Sequence, residues 1–143
     1  MDKKYELTNK RILIGGATLY KIRALIDFCT VRVGDLGGYV QSEDNLSQDG
    51  DCWVRGNACV YENARVSGDA HVIGCAEVYG NARIYGAVYI SETAHIYGDA
   101  CVHLDRYNIG GNTRLSHGVW TQMIIMRHKV YLISSTLEEI LME

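Results

Sequence analysis

An aliphatic residue recurs every six positions through the middle of this chain. Val or Ile stands at 54, 60, 66, 72, 78, 84, 90, 96 and 102. Two positions ahead of each lies a smaller residue: Cys52, Ala58, Ala64, Ala70, Ala76, Ala82, Val88, Ala94 and Ala100. Turn pairs such as Gly56-Asn57, Gly68-Asp69, Gly80-Asn81 and Gly98-Asp99 fill the intervals. An unbroken short period narrows the possible folds sharply, because repeats of one small unit stack into solenoids.

Side chains alternate along a strand. Ala58 and Val60 therefore point inward, and Cys59 and Tyr61 outward. Gly and Asn tolerate positive φ, so the pair that follows bends the chain. A strand of about four residues and a two-residue corner make one side of a coil, and three sides close a triangle. Residues 18 apart in the sequence then stack at the strand spacing of ~4.8 Å. The nine hexads give about three coils around a thin column of Val, Ile and Ala. The expected class is all-β.

Three segments follow. Residues 1–51 read as an N-terminal cap, with Arg11–Ile14 and Thr18–Ile22 as strands of a hairpin around Gly15-Gly16. Gly34-Asp35-Leu36-Gly37-Gly38 is a turn-rich lead-in. Residues 52–118 are the repeat body. Residues 119–143 read as a C-terminal cap: strands over 119–125 and 130–133, then a short helix over 136–142. Ser135 with Glu138, or Thr136 with Glu139, has capping-box spacing. Capping is expected, since an open solenoid end exposes unpaired backbone and apolar core. After Val102 the pattern resumes one residue late at Ile109, Thr113 and Leu115, which predicts a one-residue bulge.

These residues resemble the left-handed parallel β-helix proteins with hexapeptide repeats. The resemblance covers roughly residues 52–118. In the usual hexapeptide the small residue or Gly directly follows the aliphatic one. Here Gly comes one position later, as in Val78-Tyr79-Gly80-Asn81-Ala82-Arg83. That variant, and the lead-in through Tyr39-Val40 and Glu43-Asp44-Asn45-Leu46-Ser47, resembles uncharacterised hexapeptide proteins of phages, prophages and bacterial genomes. The resemblance implies left-handedness and a homotrimer of prisms packed side by side.

The stacking rule writes out three outer faces. The first carries Tyr61, Tyr79 and Tyr97 as a vertical ladder, with Cys59, Glu77 and His95 beside it. The second carries Arg65 and Arg83, and Asn63, Asn81 and Asp99 stack at the corner between the two faces. The third carries Trp53, His71, Ile73 and Tyr89 and is the least polar. An apolar strip on so small a prism points to self-association, so these four are the expected subunit interface. Tyr61, Tyr79, Tyr97, Arg65, Arg83 and Asn81 are the expected binding surface, for a protein partner or a small anion.

The remaining chemistry is sparse. The net charge of −3 gives no electrostatic reason to expect nucleic acid. No apolar run reaches the ~18 residues of a membrane span, and Met1–Glu6 lacks the apolar stretch of a signal peptide. Five cysteines without a C-x-x-C pair fit reduced thiols in a cytoplasmic protein, with no zinc motif and no cofactor. Many hexapeptide proteins are acyltransferases that use a His base under a long loop, with an acyl-CoA donor at a subunit interface. Here His71 and His95 occupy ordinary outward slots, His103 and His117 flank the bulge, and no loop interrupts residues 52–102. The expectation is a non-catalytic oligomeric binding protein, an accessory factor of phage or prophage type with an anti-defence role among those open to it. An acyltransferase and a purely structural assembly protein are the alternatives.

Overall fold

A computed structural model describes residues 3–126, 129–134 and 139–142 of the chain. The repeat body is a parallel β-solenoid. Its first wall stacks Leu36–Val40, Cys59–Val60, Glu77–Val78, His95–Ile96 and Arg114–Leu115. The second stacks Trp53–Val54, His71–Val72, Val88–Ile90 and Tyr107–Ile109. The third stacks Arg65–Val66, Arg83–Tyr85, Cys101–His103 and Val119–Met126, with Leu46 bridging to Val66 below. Each inward aliphatic residue of the period is buried, and so is the small residue two places ahead of it. Backbone N–H groups donate to the carbonyls one coil further on, for example Asn63 to Gly80 at 2.9 Å and Asn81 to Gly98 at 2.8 Å.

The first wall has five parallel strands, so the solenoid runs to about five turns where the nine hexads gave about three. The period undercounts because the ends of the solenoid have degenerate sequence. Tyr39 and Val40 pair with Cys59 and Val60, so the lead-in already forms a side of the first coil. Arg114 and Leu115 continue the wall after the repeat has faded. The one-residue bulge is present. Val72 pairs with Ile90, at the regular spacing. In the next coil Ile90 pairs with Ile109 and Ile96 with Leu115, each one residue later than the period requires. Arg106 turns that corner with φ 66. The regular spacing returns on the third wall, where Val102 pairs with Trp120.

The N-terminal cap is the expected hairpin. Strand β1 (Tyr5–Ile14) pairs antiparallel with β2 (Ala17–Ala24) around Gly15 and Gly16, both at positive φ. β2 pairs with β3 (Leu36–Val40), which enters the first wall, so hairpin and solenoid share one continuous sheet. The junction is tight. A Cβ on Gly37 would lie 2.5 Å from the Val54 carbonyl oxygen and 2.6 Å from Ile22 Cγ1.

At the other end Val119–Met126 pairs antiparallel with Lys129–Ser134. The helix expected over 136–142 is corrected in part: Glu139–Met142 is a strand paired with Lys129–Ser134. A lone helix of that length is unstable in water, where ~12–15 residues are marginal, and the existing sheet edge satisfies the same backbone groups. Ser135, Thr136 and Glu138 of the capping-box spacing lie outside the described residues. Among the described residues, no helix is long and apolar enough to cross a membrane.

Candidate functional site: a groove along one corner of the prism

The stacked columns read from the sequence are present in the register of the walls. Cys59, Glu77 and His95 are partners on the first, and Arg65, Arg83 and Cys101 on the third. At the corner between these walls, Asn63 Nδ2 donates to Asn81 Oδ1 at 3.2 Å, and Asn81 Nδ2 to Asp99 Oδ1 at 3.3 Å. A groove of about 900 Å³ follows this corner. Arg65, Arg83, Asn81, Glu62 and Asp99 line it from the solenoid, and Gln41, Ser42 and Asp44 from the lead-in.

The lead-in wall is a single 3-10 turn, Glu43–Asn45, capped by Ser42. Its anchor is Asn45, which is buried. The Asn45 Oδ1 accepts from the Gln41 and Ser42 amides, and its Nδ2 donates to the Glu62 and Ala64 carbonyls. One side chain thus ties the turn to the next coil with every polar atom satisfied. The sequence shows no loop within 52–102; the projecting element comes from before that window.

The tyrosine ladder lies on the adjoining wall, and none of its rings lines the groove. Tyr61 and Tyr79 stack at 5.1 Å and 12°, and Tyr79 and Tyr97 at 5.2 Å and 10°. Arg114 sits over the Tyr97 ring at 5.3 Å. The hairpin covers the lower end: Leu19, Tyr39, Cys59 and Tyr61 form a second apolar cluster, with Ile12, Ile14 and Tyr79 against it. Burial pushes the Tyr61 hydroxyl well above its ordinary range, and its hydrogen bond to Glu77 adds to this. Burial likewise raises the Cys59 thiol to about 11, with the Glu77 carboxylate contributing. The ladder is therefore largely packing, and its upper rings are the more accessible.

His95 has partners that the sequence did not reveal. Its Nε2 lies 3.6 Å from Glu77 Oε2, and its Nδ1 3.4 Å from the Tyr79 hydroxyl. His103 stacks on Tyr85 at 4.3 Å, and His117 meets the Ser116 hydroxyl at 3.2 Å. Among the described residues, no group of three or more His, Cys, Asp or Glu side chains is placed to hold a metal ion.

On the third face the expectation for Trp53 is corrected. It is buried by the chain's own cap, with Tyr5 and Phe28 edge-on at 6.2 and 5.2 Å. The sequence places Trp53 outward, and the N-terminal segment then covers it. His71 is also buried and stacks on Tyr89 at 5.1 Å. Tyr89 remains 45% exposed, with Ile73 half-buried.

The residues that sequence reasoning missed are Asn45, Asp44 and Glu62. Two had signals: Ser42 and Asn45 have capping-box spacing, and Glu62 occupies a corner slot that Gly fills at 80 and 98. No family model matches the chain, and no curated protein matches it.

Proposed function

We propose that this protein is a non-catalytic, oligomeric binding scaffold that holds its partner along the corner groove. The observation that carries this reading is the pair Arg65 and Arg83. They stand in register on the third wall, exposed, and their guanidinium groups form no ion pair or hydrogen bond among the described residues. Guanidinium groups so placed are ready to take carboxylate or phosphate from a partner. Asn81 adds an amide at the groove floor, and Tyr79 and Tyr97 extend the surface around the corner. The resemblance to hexapeptide proteins supports a left-handed trimer in the cytoplasm, with Ile73 and Tyr89 toward the neighbouring prism. It also supports a phage or prophage accessory role, directed at a host or defence component.

The test is affinity capture from host lysate with wild type and with an Arg65→Gln/Arg83→Gln variant. The expected result is a stoichiometric partner on the wild type that the variant loses. Equal recovery on both proteins would remove the groove from the interaction.

A second reading, acyl transfer at a subunit boundary, has one observation in its favour: Glu77 and Tyr79 orient His95. Its signature is acetyl-CoA turnover that falls on His95→Gln and is indifferent to Arg83→Gln.

A further inference from the structure

Two features of the groove bear on what it takes. The first is electrostatic. Arg65 and Arg83 are partners on adjacent strands, a separation of ~4.8 Å. Like charges directly opposite each other on a sheet repel. The carboxylates of Asp44, Glu62 and Asp99 line the same groove, yet none forms an ion pair with either arginine. With three carboxylates against two guanidiniums the groove is net negative, which disfavours a bare anion. An oxyanion between the arginines relieves their repulsion, and a hydrogen-bond donor attached to it satisfies the acidic side.

The second feature is strain. Glu62 has φ 57, in the left-handed region, where the same corner one and two turns on is Gly80 and Gly98. Glycine reaches that conformation without a Cβ penalty, and such strain persists where surrounding contacts hold it; Glu92 takes the same φ 57 at another corner, so Glu62 is set apart by its place in the groove. Glu62 Oε1 accepts from the Gly80 amide at 3.2 Å, while Oε2 has no partner among the described residues.

We infer that the groove binds a small polar ligand, or the equivalent group of a partner, that carries one oxyanion and an adjacent amine or hydroxyl donor. The oxyanion, phosphate or carboxylate, bridges Arg65 and Arg83; the donor meets the carboxylate of Glu62. This rests on the groove being the binding surface.

The test is an NMR titration of the arginine Nε–Hε signals of the full chain with four probes: inorganic phosphate, acetate, phosphoethanolamine and β-alanine. The expected result is that the Arg65 and Arg83 signals move together. The amine-bearing probe binds roughly fivefold more tightly than its bare counterpart, as a charge-assisted hydrogen bond allows. The tighter of the two amine probes identifies phosphate or carboxylate as the anion. The Asn81 side-chain amide, which lines the same groove, shifts with the probes in the wild type and stays still in Arg65→Gln/Arg83→Gln, and Glu62→Gln removes the advantage of the amine. No movement of either signal up to about 50 mM, a free energy too weak to matter, overturns the proposal, as does equal affinity for bare and amine-bearing probes. Loss of probe binding with the captured partner still dependent on the arginines would sink the ligand chemistry and leave the binding scaffold standing.

Discussion

His71 lies under the Tyr89 ring with 6% of its surface exposed, and burial holds its imidazole below the ordinary pKa. The Arg55 guanidinium adds to that shift, while the Asp51 and Asp69 carboxylates oppose it. The unfolded chain takes up a proton near pH ~6.5, and the folded chain resists it. The unfolded state therefore binds more protons, and stability falls as pH drops through that value. Thermal melts between neutral and mildly acidic pH are expected to show a falling midpoint that His71→Gln flattens. An unchanged slope in the variant would remove His71 as the cause. At this scale the sequence was readable where the period operates. It placed Arg65 beside Arg83 and stacked Tyr61, Tyr79 and Tyr97 in the correct column. It failed at Trp53, because alternation tells which way a side chain points but not what distant segment comes to cover it.

The 3-10 turn at Glu43–Asn45 gives the groove its second wall, and Asn45 ties it to the next coil. Asn45→Ala leaves the Glu62 and Ala64 carbonyls without these donors. The expected cost is about 2–3 kcal/mol, from lost hydrogen bonds and unsatisfied buried groups, measurable by urea denaturation. Hydrogen exchange is expected to quicken around residues 41–46 before the rest of the solenoid. A loss below about 0.5 kcal/mol, within the range of ordinary surface substitutions, would show that the turn is held by other contacts. Elements were legible in proportion to their regularity. The hairpin announced itself through Gly15-Gly16, and the bulge through the late return of Ile109. Around the last strand, Glu139–Met142, the local sequence offers capping spacings that point to helix; its pairing with Lys129–Ser134 is a tertiary fact.

As a whole, the molecule is a stack in which each coil touches only its neighbours, so its surface is organised in columns. That architecture turns a six-residue period into a line of aligned side chains. Two unpaired arginines aligned on one such line are the basis of the functional account. The decisive measurement is native mass spectrometry of the protein, purified at low salt from the cells that make it. The wild type is expected to carry an additional mass, a small molecule or a partner, that the Arg65→Gln/Arg83→Gln variant lacks. A wild type without any additional mass, or a variant that carries the same one, would contradict it.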